Sequence, residues 1–541
     1  MTSVAVLGGG VAGLSAAQEL AERGFQVTVY ERRDAFGGKA RSIPKPGSGT
    51  GTSALPAEHG FRFFPGFYRH LPDTMARIPD AKQGGKHVAD HLVEATRILI
   101  AQIEGNPELI APAQMPSSMT DVEVAMRFMW EFGTRLGLHP DDLSVFIDKL
   151  LRLLGSCDAR RFDEFEQMSW WQYTDAQRRS AAFQKFCCDG LTRTLVAARA
   201  REMSARTGGL ILCQLLMSMM RRGEHVDRVL DGPTSEVWID PWTDYLRSLG
   251  VVLHDSREIA GIDCDGHSIT GVTVQSLPVQ TATGPRRVEA DYYVAAMPIE
   301  RLRLLLSPAL RAAEPRLAAL SPLVVRWMNG VMFYLKRDIP LQKGHTIFID
   351  SEWALTAISQ AQFWPGVDLT QRGDGNVAGI LSVDVSEWDR PGSRTGKVAH
   401  ACTKDEIREE VWGQMVDHLG AATLPQADVV DWFLDPDIVF PNPHDAVNLE
   451  PLLVNTAGSW VNRPDAETRI PNLFLAADYV RTHTDLATME AANEAARRAV
   501  NGILKATRSR TPRCQIWKLH EPAELAPFRA LDWLLWRLGG L

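Results

Sequence analysis

The chain has 541 residues, 45% of them apolar, more than one small hydrophobic core can enclose, so two or more packed units are expected. A net charge of −8 argues against a nucleic-acid partner, which would require a basic face. The seven cysteines (Cys157, Cys187, Cys188, Cys213, Cys264, Cys402, Cys514) lack C-x-x-C spacing and the fourteen histidines lack H-E-x-x-H spacing, so no disulfide framework and no metal site is expected.

The opening MTSVAVLGGG has a glycine turn where the apolar region of a signal peptide would continue. The longest apolar run, LILCQLLMSMM (210–220), is too short to span a bilayer. With reduced thiols, this predicts a cytoplasmic protein, soluble or peripheral on the inner face of the membrane.

VAVLGGGVAGLSAAQELAERGFQVTVYE (4–31) reads as strand, turn, helix and second strand. Gly8, Gly10 and Gly13 form G-x-G-x-x-G. The first permits the tight turn, the second lets the backbone approach a diphosphate, and the third lets the helix lie close to the sheet. Leu14, Ala17, Leu20 and Ala21 give the inward stripe, and Gly24 ends the helix. Glu31 closes the second strand, where an acid accepts the hydroxyls of an adenosine ribose. The motif alone suits NAD as well as FAD.

RRDAFGGKARS follows, with Arg32, a glycine pair at Gly37–Gly38 and the basic Lys39. PKPGSGTGTSALPA (44–57) is a loop by composition. EHGFRFFPGFYRH (58–70) crowds five aromatic side chains around His59 and Arg62. Residues 115–230 carry helical periodicity, in VAMRFMWEFGTRLG, LSVFIDKLLRLLG and GLILCQLLMSMMRR. YLRSLGVVLHDSREIAGIDCDG (245–266) reads as helix, glycine stop, strand and hairpin, and ADYYVAAMP (290–298) as another strand. Residues 322–385 look like a sheet, and IPNLFLAADYVRTHTDLATMEAANEAARRAVNGIL (470–504) like a strand ending at Asp478, a loop and a long helix. The tail APFRALDWLLWRLGGL (526–541) is short and apolar; it suits either a bilayer interface or docking on its own domain.

The second glycine pair so soon after Glu31 resembles the extended dinucleotide motif of FAD proteins of the amine oxidase and phytoene desaturase superfamily. GGKA, residues 228–250 and AADY…LATMEAANEA are similar to the branch holding plant and cyanobacterial type phytoene and ζ-carotene desaturases, with hydroxysqualene dehydroxylases as relatives. The resemblance implies FAD and an α/β fold: a discontinuous Rossmann-like FAD-binding domain (1–95, 240–310 and 455–510) with an inserted substrate domain of mixed sheet plus helices. That insertion is helical over 96–239 and sheet over 311–454, and an apolar tail spans 511–541. The implied cofactor contacts are Gly8, Gly10, Gly13, Glu31, Arg32, Gly37, Gly38, Lys39, Gly60, Phe61, Arg62, Ile259, Asp478, Ala487 and Met489.

In the desaturase branch a segment E-x-G-x-H-x-F-x-G-x-Y passes beneath the flavin. Glu58, Gly60, Phe64, Gly66 and Tyr68 match it, but Arg62 stands at the histidine position. A guanidinium is no general base near neutral pH, so the departure bears on the substrate more than on the redox chemistry. Arg62 and His59 are the expected catalytic helpers, and Phe64, Tyr68 and Trp353 the expected substrate-pocket residues, with SWWQYTD (169–175) and SQAQFWP (359–365) as further apolar surfaces. The resemblance implies an isoprenoid or similar hydrophobic substrate oxidised by hydride transfer to flavin N5, as in carotenoid biosynthesis, with quinone or oxygen as acceptor. A flavin amine oxidase, a flavin-dependent alkene isomerase or hydratase, and a non-catalytic flavin-binding protein remain open alternatives.

Overall fold

The computed structural model describes residues 1–103, 109–112, 130, 133–134, 136–190, 192–193, 197–218, 227–278 and 284–539. Most of VAMRFMWEFGTRLG, and the end of GLILCQLLMSMMRR, lie outside the described residues.

The first sheet has five parallel strands in the order Val252–His254, Gln26–Tyr30, Ser3–Leu7, Tyr292–Ala295, Leu473–Leu475. The central Ser3–Leu7 is apolar and almost wholly buried from Val4 onward, as a strand covered on both faces must be. Helix Val11–Ala21 covers it and packs along helix Met489–Ala506 from the far end of the chain. Small side chains allow this closeness, and the contact is fixed by Asn493 donating to the Ser15 hydroxyl at 2.8 Å. The strand expected to end at Asp478 stops at Leu475, and Asp478 sits in the loop that follows.

The second sheet has seven strands in the order Val429–Leu434, Asn329–Leu335, Gly379–Val385, Leu355–Ser359, Thr346–Phe348, Arg97–Ala101, Leu109–Pro112. Neighbouring pairs are antiparallel except Thr346–Phe348 with Arg97–Ala101. The stretch 96–239, expected as the helical part of the substrate domain, also holds the strands Arg97–Ala101 and Leu109–Pro112. RILIA is a five-residue apolar run, too short to distinguish strand from helix by periodicity, and the register with Thr346–Phe348 decides it.

Side chains alternate across this sheet. Leu99, Ala101, Phe348, Leu355, Ala357, Val383 and Val385 point into a core closed by helix Lys404–Leu419 through Ile407, Val411 and Met415. Ile98, Ile100, Ile347, Thr356 and Asp384 point the other way, into a cavity. The helical layer includes Pro140–Gly155 and Ala205–Ser218, which pack together and bring Phe146 and Leu212 to the same cavity.

Helix Ala526–Arg537 docks on this layer by its polar side. Asp532 accepts from the Cys157 N–H (2.8 Å) and Arg160 Nε (2.9 Å), and Arg529 donates to the Leu154 carbonyl at 3.3 Å. Its Phe528, Leu531, Trp533, Leu534 and Leu535 are left exposed, as is the adjoining Leu538. Among the described residues no helix is long and apolar enough to cross a membrane.

Candidate active site

At the carboxyl end of Ser3–Leu7 the chain turns through Gly8, whose φ of 119° is open to glycine. The approach of turn and helix is closest at Gly13: a Cβ there would stand 1.9 Å from the Gly8 carbonyl oxygen. A Cβ on Gly10 would meet nothing nearer than Gly38 Cα at 3.8 Å, so this backbone faces open space. Gly10 is also the N-cap of helix Val11–Ala21 and offers its first N–H groups no side-chain acceptor. An anion completes such a helix end, and a dinucleotide diphosphate fits the opening.

Glu31 is held toward this opening by the Gly9 N–H (2.8 Å) and the Arg33 N–H (2.9 Å), and burial pushes its pKa up against those donors. Ile259 borders the same end. Gly37 and Gly38, both with positive φ, bring the next loop back to Gly10. The basic side chains are engaged: Lys39 reaches Glu300 (3.1 Å) and the Pro451 carbonyl (2.5 Å), while Arg32 and Arg33 reach Glu450. Burial would raise Glu450, but Arg33 and Lys39 outweigh it and hold the carboxyl down at about 2.

Helix Met489–Ala506 aims its N-terminus at the same space, which Ala487, Met489 and the loop residue Asp478 border. The Thr488 hydroxyl accepts from the Ala491 N–H at 3.1 Å. Glu490 turns away and accepts from the Arg69, His70 and Leu71 N–H groups at 2.7, 2.7 and 2.9 Å, tying 69–71 to this helix.

One cavity of about 760 Å3 is bordered both by this cradle and by the second sheet. Where they meet, His59, Gly60, Phe61, Arg62 and Tyr68 form the wall. His59 Nδ1 lies against the Asp435 carboxylate, which also accepts from Asn329 at 2.6 Å. Asp437 lies close enough to His59 and Asp435 for the three to hold a cation, but Arg33 already pairs with it at 2.7 Å, so a counter-charge is present without an ion. The Arg62 guanidinium donates to the Gly60 carbonyl. Phe61 and Phe63 flank the His345 ring at 5.2 and 4.2 Å between centroids, and burial pushes this imidazole down to about 4, so it is neutral.

Three expected site residues lie off the cavity. Gly13 is at the helix–turn contact rather than the opening. Phe64 is fully buried edge-on to Trp238 at 5.5 Å, its backbone bridged to Arg228. Trp353 is fully buried on the opposite face of the second sheet, its indole N–H donating to the Arg390 carbonyl at 3.0 Å, which corrects its expected place in the pocket. Trp170 of SWWQYTD and Trp364 of SQAQFWP are likewise core. Asp384, His345, Thr356 and Asp227 border the cavity and were not among the expected residues. Burial pushes the Asp227 carboxyl up to about 6 despite the Gly66 N–H. The strand pattern of VAGILSVDV was readable, but which of its faces met a cavity was not.

A glycine turn with an open anion-binding helix end, an acid beyond it and a cavity running from that cradle to the second sheet are the site of an FAD-dependent oxidoreductase. The chain belongs to the flavin containing amine oxidoreductase family, whose model matches residues 11–504. It is 23% identical over 510 residues to 15-cis-phytoene desaturase of Synechococcus elongatus, covering 90% of this chain and 93% of that protein. It is also 23% identical over 526 residues to a probable zeta-carotene desaturase of the same organism, covering 93% and 98%. Among solved structures, cyclohexylamine oxidase from Brevibacterium oxydans shares the fold with a TM-score of 0.60 at 15% identity, covering 94% of this chain and 99% of that one.

Proposed function

We propose that the protein is an FAD-dependent desaturase, or dehydrogenase, of an isoprenoid or terpenoid-like hydrophobic substrate of the carotenoid class. The observation that carries this is the single cavity joining the glycine cradle to an apolar wall of Ile98, Ile100, Phe146, Leu212 and Ile347. Similarity along nearly the whole chain to phytoene and zeta-carotene desaturases supports it. The amine-oxidase alternative gains little from the tyrosines at the cavity. Tyr30 stacks on His254 at 5.3 Å beside Glu31, leaving Tyr68 without a second tyrosine for a cage among the described residues.

In this reading the five-stranded sheet belongs to a discontinuous Rossmann-like FAD domain (1–95, 240–310 and 455–510), and the second sheet with the helical layer to the substrate domain. Gly8 and Gly10 approach the diphosphate, Glu31 holds the adenosine ribose, Ile259 borders the adenine, and Gly37, Gly38, Lys39, Asp478, Ala487 and Met489 border the rest of the cofactor. The bound flavin supplies a two-electron acceptor at N5. The protein excludes water with its apolar wall and aligns the substrate C–H bond, with Gly60, Phe61, Arg62 and His59 on the flavin side. The electron acceptor for such a cofactor would be quinone or oxygen. The outward apolar side of helix Ala526–Arg537 supports peripheral contact with a lipid surface, from which such a substrate would be drawn.

The test is anaerobic mixing of the yellow protein with polyprenoids and, separately, with an amine panel. Bleaching of the oxidised-flavin absorbance by a polyprenoid is expected. Bleaching by an amine alone would overturn the desaturase reading.

A further inference from the structure

A row of neighbouring residues crosses the cavity face of the second sheet. Ile100 lies beside Ile347, Ile347 beside Thr356, Thr356 beside Asp384, and Asp384 beside Gly330. The row begins apolar and ends in a carboxyl group next to the flavin-side wall. Gly60 makes the room: a Cβ there would stand 2.5 Å from Asp384 Oδ1. Gly330 does the same on its own strand, since a Cβ there would meet the His59 carbonyl oxygen at 2.8 Å.

Asp384 is buried, it borders the cavity, and its Oδ1 has no hydrogen-bond partner. A buried carboxylate oxygen without a partner is costly and calls for an explanation such as a role in binding or proton transfer. Three other carboxyls on the wall are engaged. Glu31 accepts two backbone N–H groups, Asp227 accepts from Gly66 at 3.1 Å, and Glu450 is held by Arg33. The titratable and charged groups facing Asp384 are Arg62, His59 and Glu58; burial, with Glu58, raises its carboxyl to about 7 against the pull of Arg62, His59 and the Phe61 N–H.

We propose that Asp384 is the acid–base residue of the reaction, taking the proton from the substrate carbon next to the one that gives up hydride. The inference rests on the desaturase reading above. One C–H bond breaks and its electron pair leaves as hydride to the flavin. The neighbouring C–H bond breaks, its pair forms the new C=C bond, and the proton bonds to Asp384 Oδ1. The substrate loses two electrons and the flavin gains two, which pass on to quinone or oxygen while Asp384 releases its proton to water.

The test compares wild-type and Asp384→Asn holoenzymes by FAD content, by anaerobic flavin bleaching across pH, and by melting temperature across pH. FAD content should be unchanged. Wild-type bleaching should accelerate as pH rises through about 7, because the base must be ionised. The Asn variant should be slower by ~10²–10⁴-fold and lose that acceleration. A raised carboxyl destabilises the fold as pH climbs from its unfolded value toward its folded one, so the wild type should lose melting temperature relative to Asp384→Asn between about pH 4 and pH 7. Bleaching within about threefold of wild type with the same pH dependence overturns the assignment, and so does a melting difference constant with pH. If an amine alone bleaches the wild-type flavin, the desaturase reading falls. The same comparison run with that amine still decides Asp384: a lost acceleration keeps it, an unchanged one removes it.

Discussion

Replacing Gly13 with alanine tests the cradle at its tightest point. The new Cβ would sit 1.9 Å from the Gly8 carbonyl oxygen, about 1.5 Å inside ordinary contact. Both partners are backbone, so no side-chain rotation relieves the clash; either the helix lifts from Ser3–Leu7 or the Gly8 turn shifts. Overpacking of this kind costs ~3 kcal/mol. If about half of that falls on the FAD-bound form alone, the Kd for FAD rises about tenfold. Gly24→Ala is the control. Its φ is +82° and a Cβ there meets nothing within 4 Å, so the cost is ~1 kcal/mol of backbone strain and the FAD Kd should not move. The assay is FAD titration of deflavinated protein with thermal melts of both forms. Wild-type affinity and melting in Gly13→Ala would refute the close-approach argument.

His91 gives a pH prediction. It lies between Asp231 (2.7 Å) and Asp80 (3.0 Å); the Asp231 hydrogen bond foremost, opposed by burial and aided by Asp80, raises its pKa. The stabilisation is complete below the unfolded value of about 6.5 and is lost as pH rises through the raised folded value. The melting advantage of wild type over His91→Gln should therefore shrink from about pH 6 to pH 9, and a constant difference would contradict it. Six of the seven thiols are buried and Cys264 is the partly accessible one, so a thiol reagent should modify no more than one group rapidly in the folded protein. Faster labelling of several thiols would show that the helical layer opens. Leu531→Glu with Leu535→Glu should weaken liposome flotation by at least ~10-fold while leaving FAD content unchanged, since each leucine would bury ~1.5 kcal/mol or more in lipid. Undiminished flotation would remove this helix as the lipid contact.

Local backbone rules made the cradle legible. Gly8, Gly10, Gly13 and Glu31 are fixed by a turn, a close approach and a strand end, all within one short stretch of chain. Gly37–Gly38 and the helix after Asp478 could be read through resemblance, although the strand before Asp478 proved shorter than its apolar run. The substrate side was poorly legible for a geometric reason. Trp353 precedes Leu355–Ser359 and Asp384 lies on Gly379–Val385, and the faces of these strands are set by register with chain far away in sequence. A one-residue shift exchanges core for cavity, which is why Asp384 could not be assigned to the wall, while Trp353 lies in the turn before its strand and is held in the core by the Arg390 carbonyl. The aromatic cluster at 58–70 divided likewise: Phe61 and Tyr68 border the cavity, whereas Phe64 is held against Trp238 by its backbone bridge to Arg228.

The order of strands in the first sheet has a consequence for how the protein is made. Ser3–Leu7 and Gln26–Tyr30 leave the ribosome before the other strands of this sheet, yet Ser3–Leu7 gains its other neighbour only with Tyr292–Ala295, and the sheet ends with Leu473–Leu475. Until Tyr292–Ala295 is made, the nascent chain therefore carries an apolar strand with one edge open, the kind of surface that recruits chaperones or other nascent chains. The helix that faces the cradle, Met489–Ala506, arrives later still. Cofactor loading thus awaits synthesis of Met489–Ala506, and chains terminated before residue 473 should accumulate as aggregates rather than as partly active, flavin-containing fragments.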